Sequence, residues 1–215
     1  MAVKSLLVVE GVEDQLFFKQ ICREGGLSVC DNIKCDPSGK GNAISTFVSA
    51  IQLNAYSNIG LVVDADFPVH GAGLAATVQL INQKLVGVGV KPMALRTGGG
   101  YAAAPVEPAP GRKIGVWVMP NNALDGYLED LLKTLVAPAH AASLNHAAQA
   151  TTTALAAGVG FTAKPLHRPK AELGAFLAWH DVPRMSFGKA LSGGYFVSGP
   201  PGAGALINWL NWLYQ

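Results

Sequence analysis

The sequence predicts an α/β protein with a mostly parallel central sheet flanked by helices, followed by a mainly helical C-terminal portion. Three observations carry that reading. Apolar runs and amphipathic helical stretches alternate through the first 133 residues, the pattern of βαβ units with right-handed crossovers. The clearest runs, Ser5–Val9, Ile59–Val63 and Ile114–Val118, are apolar on both faces, as strands covered by helices on each side must be. Beyond residue 133 strand patterns nearly vanish.

Ser5–Val9 opens the chain, and a helix is expected from about Val12 to Glu24. Leu16, Phe17 and Ile21 form its inner stripe, and Gly25-Gly26 is its stop. Ser28–Cys35 reads as a weaker strand, interrupted by Asp31 and Asn32. The turn Asp36–Asn42 leads into a helix whose Ile44, Phe47, Val48 and Ile51 share one face. Strand Ile59–Val63 ends in Asp64-Ala65-Asp66, and a third helix carries Leu74, Val78, Ile81 and Leu85 on its inner face. A short strand is expected near Met93–Leu95, then an exposed loop over Thr97–Gly111, rich in glycine and proline. Strand Ile114–Val118 closes with Met119-Pro120-Asn121-Asn122. Asn122 is expected to cap the next helix, with Leu124, Leu128, Leu131, Leu132 and Leu135 as its stripe. Further helices are expected near 139–157, 170–180, 187–191 and 203–214. Residues 1–133 thus form the α/β core and 134–215 a helical extension packed on it, in one globular unit.

Composition narrows the function classes. Half of the 215 residues are hydrophobic and 14% are charged, enough for a large core and unlike a disordered chain. A net charge of +2 argues against coating nucleic acid by bulk electrostatics, although a local groove remains compatible with it. Cys22, Cys30 and Cys35 are odd in number and lack zinc-site spacing, so reduced thiols in a cytoplasmic protein are expected. No signal-peptide pattern opens the sequence. From Thr134 to Ala163 there is no Asp, Glu, Lys or Arg. The polar groups there, among them His140, Asn145, His146 and Gln149, suit a buried helix and loop better than a membrane span.

The chemistry concentrates at strand ends. In a parallel sheet the C-terminal ends of all strands open onto one edge, where ligands bind. Glu10, followed by Gly11, ends the first strand, and Asp64 and Asp66 follow the third. On neighbouring strands these carboxylates would stand about 5 Å apart, given a strand spacing of ~4.8 Å. Two unit charges at that distance repel by roughly 3 kcal/mol at an effective dielectric near 20. A hard divalent cation, Mg²⁺ or Mn²⁺, suits such an oxygen-rich set. The plainer alternative is that Asp64 caps a loop. Glu13 and Asp14, in a helix's first turn, are explained by the helix dipole.

Glu10-Gly11 after one apolar strand and Asp64-x-Asp66 after another resemble the Toprim domain of topoisomerases, DnaG-type primases and OLD-family nucleases. Met119-Pro120-Asn121-Asn122, then Asp125-Gly126-Tyr127-Leu128-Glu129-Asp130, resembles a group of small stand-alone Toprim-like proteins of unknown function. There a Pro-Asp-Asn sequence precedes Gly-x-Leu-Glu-Asp, and Lys170, the Phe187–Gly194 segment and a Leu-rich last helix complete the pattern. The resemblance covers most of the chain and implies a Toprim-like (Rossmann-like) fold. It also implies that Glu10 acts as general base or metal ligand, that Asp64 and Asp66 bind the metal, and that Glu129 is a further ligand candidate. Lys40 and Lys170 are candidates for phosphate, each more often a plain surface lysine. The family's Pro-Asp-Asn is Pro120-Asn121-Asn122 here, so one acid is an amide. No tyrosine nucleophile, zinc module or ATPase domain accompanies the motifs, so topoisomerase or primase activity is not implied.

Other signals carry less. Gly39-Lys40-Gly41 lacks the spacing and hydroxyl of a Walker loop. Gly71–Ala76 imitates a dinucleotide fingerprint without a strand directly before it. His140 and His146 fall on different helix faces, and no nucleophile elbow is present. Trp209 and Trp212 suit a homodimer interface or, more commonly, docking into the chain's own core. The expectation is a Mg²⁺-dependent phosphodiester hydrolase, nuclease-like, acting on nucleic acid or a nucleotide. The alternative is a non-catalytic regulatory or interaction module of the same fold that binds a metal or nucleotide.

Overall fold

The computed structural model describes residues 4–36, 38–70, 72–107, 111–158, 167–183, 185–199 and 202–215. Pro37, Gly71, residues 108–110 and residues 159–163, which belong to segments considered above, lie outside the described residues.

Six strands form one mixed sheet: β1 (Ser5–Val9), β2 (Ile33–Cys35), β3 (Asn58–Asp64), β4 (Ala94–Leu95), β5 (Tyr101–Ala103) and β6 (Lys113–Met119). Their order is β2-β1-β3-β6-β5-β4. The first four are parallel; β5 pairs antiparallel with β6, and β4 antiparallel with β5 at the edge. The helices are α1 (Val12–Glu24), α2 (Lys40–Gln52), α3 (Leu74–Val86), α4 (Leu128–Leu135), α5 (Ala141–Ala156), α6 (Arg168–Ala178), α7 (Phe187–Ser192) and α8 (Gly204–Tyr214). Among the described residues no helix is long and apolar enough to cross a membrane.

The pleat sends alternate side chains of β1 into two cores. Leu6 and Val8 pack with Ile44, Phe47 and Ile51 of α2 and Ile81 and Leu85 of α3. Leu7 and Val9 face α1, α4, α6 and α8, against Phe17, Leu132, Phe176 and Leu213. The helices after residue 133 therefore cover the sheet face that α1 begins to cover. A glycine pair makes this possible. Gly60 and Gly115 lie opposite one another on β3 and β6. A Cβ at Gly60 would stand 2.4 Å from the Tyr214 hydroxyl and 2.9 Å from Leu213. With hydrogen in that place, α8 lies flat on the sheet, and the Tyr214 hydroxyl donates to the Leu6 carbonyl at 2.8 Å. Trp209 is buried and tilts against Trp117, with ring centroids 5.8 Å apart, while Arg96 lies 3.9 Å over the Trp212 ring.

Several segments differ from expectation. Ser28–Asp31 is a 3-10 turn, so the second strand shrinks to Ile33–Cys35; at its start the Asn32 carbonyl accepts from the Leu7 amide and the Asn32 side chain donates to the Ser5 carbonyl. Thr97–Gly111 contains β5. Gly99 and Gly100, both at positive φ, turn the chain back on itself, and the Arg96 amide donates to the Gly100 carbonyl. Asn122 caps no helix: its side chain accepts from the Val118 amide at 2.8 Å, holding the end of β6. Leu124 is exposed, outside the leucine stripe.

Candidate active site at the strand ends

Val9 of β1 pairs with Val62 of β3, so the residues that follow emerge together at the C-terminal edge. Glu10 leans across the gap, and its Oε2 accepts from the Asp64 backbone amide at 3.3 Å. Asp64 Oδ1 in turn accepts from the Leu128 amide at 2.9 Å, the first residue of α4. The sequence alone separates Glu129 from the last strand by several helical turns. In the fold, residues 120–127 are loop. Asp66 and Gly126 exchange backbone hydrogen bonds of 3.0 Å, which brings α4's first turn back to the strand ends. Glu129 therefore stands beside Asp64 and Asp14, close enough for its charge to act on both.

Asp14 is the residue that sequence reasoning assigned to helix electrostatics and the structure brings into the site. Its neighbour Glu13 accepts from the Phe187 amide at 2.9 Å, at the start of α7, which Ser186 caps. Asp14 turns inward from α1. A Cβ on Gly11 would stand 2.7 Å from Asp14 Oδ2, so glycine is what lets this carboxylate fold back toward Glu10. Asp14 Oδ1 is buried and has no hydrogen-bond partner. The available signal was the spacing: Asp14 comes four residues after Glu10, one helical turn on from the strand-end acid.

Both candidate lysines reach this edge. Lys170 of α6 lies 3.9 Å from Glu129 Oε1 and 4.6 Å over the Tyr127 ring. The helix that carries it, α6, is tied to α4 by Glu172, a buried carboxylate that accepts from Lys133 of α4 and from Arg168 Nε at 2.6 Å. Burial alone would raise the Glu172 pKa, but these hydrogen bonds outweigh it and hold the carboxyl below its ordinary range. Lys40, the first residue of α2, points at the strand ends from the other side. It pairs with Asp66 at 2.5 Å and donates to the Ala65 carbonyl and Thr77 Oγ1, each at 3.2 Å.

The electrostatics are those of crowded, partly dehydrated acids. Burial, then the Glu10 and Glu129 charges, lift Asp14 to about 7. Burial followed by Asp14, Glu10 and Glu129 drives Asp64 well above the carboxylate range. Burial also raises Glu10, against the pull of Lys40 and the Asp64 amide, and raises Glu129 against Lys170. Four carboxylates that disfavour one another's charge, all oxygen donors, suit a hard divalent cation, and the unpartnered Asp14 oxygen gives one a free ligand. As the side chains stand, no three His, Cys, Asp or Glu among the described residues are arranged to hold a metal ion.

Residues 4–215 match the family model described as "Protein of unknown function (DUF3226)", so the chain belongs to that family. No curated protein and no solved structure matches it.

Proposed function

We propose that this DUF3226 protein is a Toprim-like phosphoryl-transfer enzyme, a phosphodiester hydrolase acting on nucleic acid with Mg²⁺ or Mn²⁺. The observation that supports the reading is the convergence of Glu10, Asp14, Asp64 and Glu129 on one sheet edge, with Lys170 facing them. Asp14, Asp64 and Glu129 would hold the ion. When bound it would supply positive charge to a phosphate oxygen and acidify a water.

The chain's own residues do the rest. Lys170, 41% exposed, is the lysine open to a ligand, and it binds a non-bridging phosphate oxygen while the Tyr127 ring steadies its ammonium. Glu10, its pKa raised by burial, accepts the proton of the attacking water.

The test is incubation with single-stranded DNA, double-stranded DNA and RNA in Mg²⁺ or Mn²⁺, beside Asp64→Asn. Metal-dependent cleavage that disappears in the variant supports the enzyme. Metal-induced thermal stabilisation without cleavage favours the regulatory alternative. If neither is seen, the metal reading fails.

A further inference from the structure

Lys40 sits where a lysine is disfavoured, at the positive end of a helix dipole. Its side chain is 14% exposed and spends all three ammonium donors inside the protein, on Asp66, the Ala65 carbonyl and Thr77 Oγ1. Asp66 is equally constrained. It has φ 60, an uncommon conformation for a residue with a side chain, and its backbone is locked to Gly126 by two hydrogen bonds. The two aspartates of the Asp-x-Asp motif are thereby divided: Asp64 is tied to the Leu128 amide, and Asp66 is tied to Lys40.

From this division we infer that Lys40 is a positioning residue, a tethered cation that holds Asp66 out of the metal shell, so that the strand-end site takes one divalent ion. The assignment rests on the metal reading above and refines it. Moving Asp66 onto an ion beside Glu10 and Asp64 would strip Lys40 of its counter-charge in a half-buried position, which is costly. No such cost attaches to Asp14, whose Oδ1 is unpartnered. The fixed ammonium already does for Asp66 what a second metal ion would do.

Mn²⁺ titration of the full chain, followed by electron paramagnetic resonance of the free ion and by calorimetry, tests this directly. Wild type should bind one ion. The charge-neutral pair Lys40→Met/Asp66→Asn should still bind one, with affinity within about tenfold of wild type, whereas Asp64→Asn should lose about 100-fold or more. Asp66→Asn alone, should the double variant not fold, should also keep a stoichiometry of one, with weaker affinity because the Lys40 charge is left facing the ion. Two ions on wild type, or a double variant as weak as Asp64→Asn, overturns the assignment while leaving the metal reading intact. No ion on wild type overturns both.

Discussion

Asp14→Asn probes the site without any substrate. In the unfolded chain Asp14 titrates near 3.8, and in the fold near 7, because burial and the Glu10 and Glu129 charges oppose its ionisation. The folded state therefore holds the proton more tightly. The stability gained from that proton is fully present below pH 3.8 and is lost as pH rises through about 7. A shift of about three pK units corresponds to about 4 kcal/mol, an upper figure because the carboxylates can part and admit water. Glu10, Asp64 and Glu129 are raised as well and add slopes of the same sign. Asparagine keeps the shape and removes the charge. Urea unfolding in a chelator at pH 5, 6, 7 and 8 should show wild type weakening across that range. Asp14→Asn should be the flatter curve and about 2–4 kcal/mol more stable at pH 8. Wild-type stability that is level from pH 5 to 8, or a variant no more stable at pH 8, would refute the claim that these acids are crowded and dehydrated.

Gly60→Ala should cost about 1–3 kcal/mol by urea unfolding, since its methyl meets the Tyr214 hydroxyl, Leu7 and Leu213. Gly41→Ala, in α2 with nothing within 4 Å of the added Cβ, should be neutral or stabilising by up to about 0.5 kcal/mol. Lys170→Met should lower metal-dependent cleavage by about 100-fold, measured as kcat/KM, through loss of the cation that faces the phosphate. An unchanged kcat/KM would remove Lys170 from the proposed chemistry.

The apolar strand ending in Glu10 and the one ending in Asp64 were legible because period and composition mark a buried parallel strand, and a parallel sheet collects its strand ends on one edge. The helices α1, α2, α3 and α8 were legible for the same kind of reason, their stripes being continuous. The strand Tyr101–Ala103 was not, because three residues at a sheet edge, paired through a glycine turn, carry too little periodicity to separate from loop.

At the site, sequence determined which residues carry acid and that Glu10 and Asp64 share an edge. Tertiary structure decided the rest. The folding back of residues 120–127 put Glu129 beside Asp64, and the packing of α6 on α4 through Glu172 brought in Lys170 across more than thirty residues. Three-dimensional placement also added what no local pattern carries: Asp14, in the first turn of α1, has a buried Oδ1 without a hydrogen-bond partner, and Asp66 is paired with Lys40. The physical reason is that a residue's type is written in the chain, but its charge state and partners depend on burial and on neighbours distant in sequence.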